Sequence, residues 1–186
     1  MKTNGGPTET TPHRAGPSVK SGEGIKIEKA VTINRPLPEV FAFWRNLENL
    51  PQFLNHLKSV NRTSEATSHW VAQSEKGRTL EWDAEIIDEK PDELIAWQSL
   101  PQGDLKSAGS IRFKPAPRGR GAVVKIALEY APGEDGGRKF SRVFGRRAGR
   151  EIARDLFHVK SLLETGEIPT VKGQPAGNKS AHPSNS

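Results

Sequence analysis

Apolar and polar positions follow two different periods along this chain, and each change of period marks a new element. From Ala148 to Leu163, the residues Ala148, Ile152, Leu156, Val159 and Leu163 recur at steps of three and four. That spacing places them on one side of an α-helix, with Arg150, Arg154 and Lys160 falling largely elsewhere. An isolated helix of this length is marginal in water, so the stripe needs a partner to cover it. At the other end, Ile25 to Asn34 sets Ile25, Ile27, Val31 and Ile33 on one face and Lys26 and Glu28 on the other, which predicts a half-buried strand. Pro36 and Pro38 stop it and suit the first turn of a helix running to about Asn46, with Val40, Trp44 and Leu47 as its buried stripe. A second short helix, Glu48 to Leu57, follows with Pro51 in its first turn and Leu50, Phe53, Leu54 and Leu57 on its apolar side. The two form a V-shaped pair too short to stand without a sheet beneath them.

From Lys58 the period becomes two. Val60 belongs to a short strand, and Thr67 to Ser74 forms another before a tight turn at Lys76-Gly77. Thr79 to Asp88 alternates cleanly, with Leu80, Trp82, Ala84 and Ile86 against Glu81, Asp83 and Glu85. A turn at Pro91-Asp92 leads to Glu93 to Leu100, where Ile95 and Trp97 share a face, and Pro101 to Asp104 reads as a loop. Ser107 to Lys114 carries Ile111 and Phe113 opposite Ser110 and Arg112. A hairpin connection at Pro115 to Gly121 is followed by Val124, Ile126, Leu128 and Tyr130, alternating with Lys125 and Glu129. Strands with one apolar face each predict an antiparallel sheet wetted on one side. The order is strand, two helices, about six strands, then a long helix, with no internal repeat. The fold class is α+β: a curved antiparallel sheet of about seven strands gripping the C-terminal helix, with a space between them.

The last apolar stripe is not continuous. It rotates across Gly145 to Gly149, where two glycines weaken the helix. Arg138 to Phe144 therefore reads as a separate basic amphipathic flap carrying Phe140, Val143 and Phe144, with the long helix beginning near Arg147.

Composition narrows the function classes. The chain has 186 residues and no cysteine, which removes disulfides, thiolate catalysis and Cys-based metal sites. Met1 to Gly24 and Thr170 to Ser186 are rich in Gly, Pro, Ser and Thr with no apolar run, so both tails are expected to be disordered and residues 25–169 to form one domain. No apolar stretch approaches the roughly 18 residues of a membrane span, and no secretory signal is evident, so a cytoplasmic protein is expected. Lys+Arg outnumber Asp+Glu by 28 to 22, a formal charge of +6. The excess concentrates at Arg138, Lys139, Arg142, Arg146, Arg147, Arg150 and Arg154. Such a segment suits an anionic membrane surface or an acidic partner, or is simply a solvated helix face. Nucleic acid is disfavoured, since the Arg cluster lacks the exposed aromatics that single-strand binding uses.

Candidate chemistry is sparse. His13, His56, His69, His158 and His182 are scattered without metal-ligand spacing, and no nucleophile elbow or phosphate-cradling loop occurs. Glu81, Asp83 and Glu85 alternate onto the expected solvent face. Trp82 and Trp97 lie on apolar faces of strands joined by the Pro91-Asp92 turn, so they are expected to pair across the sheet, filling core or walling a ligand site. Phe53, Leu54, Ile111, Phe113, Ile126 and Leu128 would complete an apolar lining with Ile152, Leu156 and Val159.

Several phrases carry a family likeness. VTINRPLPEVFAFWRNLENLPQFL, HWVAQSEKGRTLEWDAEIIDEKPDELIAWQSL, AGSIRFKPAP and LLETGEIP resemble the bacterial polyketide cyclase/dehydrase-type proteins of the START and Bet v 1-like (SRPBCC) superfamily, close to coenzyme Q-binding START-domain proteins. The likeness covers about residues 25–169. It implies the helix-grip fold and a deep pocket between sheet and last helix, in a family whose members bind lipids, quinones or polyketides and only some of which catalyse a reaction. Aromatic polyketide cyclases place Arg and Tyr inside that pocket. Here the one tyrosine, Tyr130, ends a strand, and Arg112 should point away from the pocket. The sequence therefore favours a non-catalytic binder or carrier of a hydrophobic small molecule, with no cofactor. A cyclase or dehydratase using polar cavity groups is the alternative, and an interaction module with a filled core and basic flap is a third.

Overall fold

The computed structural model describes residues 25–73, 77, 79–130 and 148–169. Strand β1 (Ile25–Ile33) is followed by helix α1 (Leu37–Arg45) and a 3-10 turn at Leu47–Gln52. Six strands come next: β2 (Leu57–Arg62), β3 (Thr67–Gln73), β4 (Thr79–Lys90), β5 (Leu94–Gly103), β6 (Ser107–Pro115) and β7 (Ala122–Tyr130). Helix α2 (Ala148–Thr165) closes the fold. All seven strands form a single antiparallel sheet in the order β1-β7-β6-β5-β4-β3-β2. Strands β2 to β7 are a meander, so β1 and β2 are its two edges, and α1 with the 3-10 turn carries the chain from one edge to the other.

The sheet curls into a half-barrel, and α2 lies in its open side. The helix runs along β1. A side-chain carbon at Gly149 would sit 3.7 Å from Lys29 Cε. Lys160 Nζ donates to Thr32 O at 2.7 Å, and Asn34 N donates to Glu164 Oε1 at 2.6 Å. Arg35 Nε donates to Leu163 O at 2.6 Å, a cation on the orphan carbonyls of the helix C-terminus, where charge and dipole both favour it. On its other flank α2 faces the start of β2, where Asp155 Oδ2 lies 3.8 Å from His56 Nδ1. The helix thus runs along the β1 edge while burying Ala148, Ile152, Leu156 and Val159. These are the apolar positions the three-and-four spacing selects, with Leu163 partly buried at the end.

Three local expectations differ from the fold. The second helix is only a 3-10 turn, because Pro51 inside it has no N–H to donate, and Leu57 already opens β2. Strand β5 continues through the expected Pro101 loop to Gly103. A register shift between Trp82 and Ala84 on β4, opposite Gly103 and Ser99, absorbs the extra residues, and a bulge is where a strand tolerates proline. Trp82 and Trp97 do not pair with each other. The cross-strand partner of Trp82 is Trp70 on β3, its ring stacked at 5.8 Å and 24°, whereas Trp97 faces Ile86 on β4 and Gly109 on β6. The hairpin register starts from Lys90 opposite Leu94, which sets the two tryptophans several residues apart.

Candidate functional site

Between the sheet and α2 lies a cavity of about 130 Å³. Its wall is almost wholly apolar. The segment between α1 and β2 supplies Leu47, Leu50, Phe53, Leu54 and Leu57, and α2 supplies Ile152 and Leu156. The sheet supplies Trp70, Trp82, Ile95, Trp97, Ile111, Ile126 and Leu128, and Trp44 of α1 adds a fourth indole. Alternation along each strand brings these side chains to the concave face, as the period-two pattern requires. Two glycines keep the tryptophan rings in place. A side-chain carbon at Gly109 would meet the Trp97 ring at 2.4 Å, so only glycine lets that ring lie flat over β6. At Gly103, with φ of 141°, the backbone passes beneath Trp82, where an added carbon would come within 2.9 Å of its Cβ.

Nine of the expected lining residues border this cavity: Phe53, Leu54, Trp82, Trp97, Ile111, Ile126, Leu128, Ile152 and Leu156. Phe113 and Val159 pack into the solid core instead, Phe113 edge-to-face on Phe41 at 5.3 Å. Phe140, Val143 and Phe144, with the hinge and Arg138 to Arg147, lie outside the described residues. Of the remaining basic segment, Arg150 is exposed and Arg154 pairs with Glu151. Arg112 is exposed, and Tyr130 is buried at the end of β7.

The wall also holds polar groups that strand alternation does not announce. Ser68 Oγ accepts from Trp70 Nε1 at 2.8 Å, and Ser107 N donates to Ser99 Oγ at 2.9 Å. Asp155 stands between Ile152 and Leu156 on the buried face of α2 and is 2 % exposed. Neither of its carboxyl oxygens has a hydrogen-bond partner, and neither does Nε1 of Trp44. Burial lifts the Asp155 carboxyl to about 7, with the Arg154 charge pulling it down and Glu151 pushing it up. His56, also on the wall, is held at about 4 by burial first and by Arg154 second. At 3.8 Å the two side chains would attract if both were charged, but burial disfavours charge on each, and a separation of that length is no hydrogen bond. Near neutral pH an uncharged imidazole therefore faces a carboxyl poised between its two forms.

The helix stripe gives Asp155 away only in part, since by angle position 155 falls about 20° beyond the edge of the apolar positions, at the border where an acid is equally at home in water. His56 follows an irregular turn, where no periodicity applies. Among the described residues, no three His, Asp or Glu side chains are grouped to hold a metal ion, and no helix is long and apolar enough to cross a membrane.

Known proteins place this architecture. A crystal structure from Deinococcus radiodurans superimposes with a TM-score of 0.62 at 31% identity, over 77% of this chain and 100% of that one. The Zhui aromatase/cyclase of a Streptomyces species shares the fold at 13% identity and a TM-score of 0.57, covering 77% of this chain and 98% of that one. An uncharacterized 17.2 kDa protein of Streptomyces lincolnensis is 31% identical over 88 residues, 47% of this chain and 57% of its own length, so the chain spans little more than half of that relative. Residues 33–157 match the family model described as polyketide cyclase / dehydrase and lipid transport. The helix-grip architecture and that match agree: the chain belongs to the polyketide cyclase/dehydrase family of the SRPBCC, Bet v 1-like superfamily.

Proposed function

We propose that this protein binds a hydrophobic small molecule, of the lipid, quinone or polyketide-like kind, between its sheet and α2. The observation that carries the reading is the apolar cavity with indoles on its wall. Apolar area removed from water supplies the binding energy, at about 25 cal/mol per Å² as an upper guide. An apolar cavity of roughly 150 Å³ takes a single aromatic ring, so the enclosed space suits a ring or short chain, and larger members of the class would reach beyond it. Native mass spectrometry of freshly purified full chain tests this directly. An apolar compound should copurify, and Trp82→Ala or Trp97→Ala should weaken its binding by about tenfold, the loss of one aromatic wall. No copurified compound and no affinity for apolar probes would end the reading.

A second reading rests on His56 and Asp155. A buried carboxyl lifted to about 7 beside a neutral imidazole is a pair suited to move a proton, as a dehydration or cyclisation needs. The two readings separate on the recovered ligand. A carrier returns it unchanged, whereas a dehydratase returns a product lighter by one water, and Asp155→Asn abolishes the change.

A further inference from the structure

An orphaned carboxyl inside an apolar wall is costly, because a buried polar group without a partner keeps its desolvation penalty in full. Asp155 carries that cost on two oxygens at once. It does nothing visible for the fold. The helix is already held along β1 by Lys160, Glu164 and Arg35, and Asp155 forms no hydrogen bond with any of them. A leucine at this position of the stripe would fill the same space without the penalty. The arrangement makes sense if the missing partner arrives with the ligand.

We propose that Asp155 is the anchor for a hydroxyl group on an otherwise apolar ligand, so that the cavity selects alcohols or phenols over hydrocarbons of the same shape. This rests on the reading of the cavity as a site for an apolar molecule and names which such molecules it prefers. A hydroxyl is the fitting group because it donates. An ionised carboxylate only accepts, and a protonated one still offers its carbonyl oxygen as an acceptor, so a hydroxyl is satisfied in either state. A ligand with only a carbonyl finds a donor on Asp155 in the protonated form alone. A ligand carboxylate is repelled by the ionised form. Apart from His56, Ser68, Ser107 and Glu85 the cavity wall is apolar, so the bond forms in a low dielectric, where a charge-assisted hydrogen bond is strongest.

The test compares two matched probes, 4-ethylphenol and ethylbenzene, titrated calorimetrically into the full chain at pH 8. The phenol should bind at least tenfold more tightly, the worth of one hydrogen bond to a charged group. Asp155→Leu should bring the phenol to the level of ethylbenzene while leaving ethylbenzene as tight or tighter. Asp155→Asn, which keeps one acceptor oxygen and the shape, should retain part of the preference. Equal affinities in the unsubstituted protein, or a preference that survives Asp155→Leu, would overturn the anchor while leaving the apolar site standing. Failure of both probes to bind the unsubstituted protein would remove the site and the anchor together.

Discussion

Among the described residues are two histidine–aspartate pairs, and they differ in nearly everything but composition. On the outer face of the sheet, His69 of β3 and Asp83 of β4 are cross-strand neighbours, with Nδ1 and Oδ1 2.8 Å apart and Glu81 3.7 Å from the other ring nitrogen. Both side chains are at least a third exposed. On the inner face, His56 and Asp155 come from distant parts of the chain and stand 3.8 Å apart, with Asp155 buried and His56 mostly so. The closer pair is the ordinary one. Water and salt share its charge, and it fixes nothing but a local contact. The looser pair is mostly shut away from solvent, and its carboxyl has no hydrogen bond. Proximity alone would rank these sites in the wrong order. Burial without satisfaction separates them.

The largest expected effect is on stability against pH. Asp155 has a folded value of about 7 against an ordinary 3.8, so the folded state holds a proton that the unfolded chain has lost between those values. Its contribution is full below about 4 and is lost as pH rises through about 7. His56 is the reverse, at about 4 folded against 6.5. Its contribution is full above about 6.5 and is lost as pH falls through about 4. In the window between, folding moves a proton from imidazole to carboxyl without net uptake, so the two slopes cancel. Single substitutions remove the cancellation. Relative to the unsubstituted protein, His56→Gln should lose on the order of 3 kcal/mol of stability between pH 4 and 6.5, the worth of the His56 shift. Asp155→Asn should instead gain on the order of 4 kcal/mol from pH 4 to 7, the worth of the Asp155 shift. Urea unfolding across that range reads both, and parallel profiles for all three proteins would show that burial does not shift the inner pair.

A smaller effect is expected at fixed pH. Replacing Asp155 with leucine removes an unpartnered buried carboxyl and leaves a neutral imidazole behind, so at pH 8 Asp155→Leu should stabilise the protein by about 1–4 kcal/mol. Destabilisation would mean that the carboxyl contributes to the fold and is not held there for a ligand. The same replacement at Asp83 removes a group already at ease in water and should change stability by less than about 0.5 kcal/mol.

The sheet and its grip on α2 were legible because they depend on period, and period survives in a one-dimensional pattern. Leu80, Trp82 and Ala84 face inward, and Ile152, Leu156 and Val159 are buried, as spacing alone requires. Register was not legible. Whether Trp82 stacks on Trp70 or meets Trp97 turns on where a hairpin closes and where a bulge intervenes, and no single strand records either. The polar half of the site was hidden for a different reason. Asp155 looks like any acid on an Arg-rich helix, just beyond the edge of the apolar stripe, and His56 gains its meaning from a residue 99 positions away (155 less 56) that only the closed half-barrel brings near.

The smallest effect is the one that calibrates the comparison. A double-mutant cycle on His69→Ala and Asp83→Ala should return a coupling of about 0.2–1 kcal/mol, the range of exposed ion pairs, since the bond is short but solvated. Raising ionic strength from about 0.01 M to 1 M shortens the Debye length from roughly 30 to 3 Å and should erase most of that coupling. The same salt should move the pH profiles of His56→Gln and Asp155→Asn far less, because burial is the largest cause of both shifts and the Arg154 charge only the second. If the outer pair proved as strong and as salt-resistant as the inner one, the sheet's outer face would be shielded by something other than solvent, and His69 rather than His56 would mark a second place where this protein meets a partner.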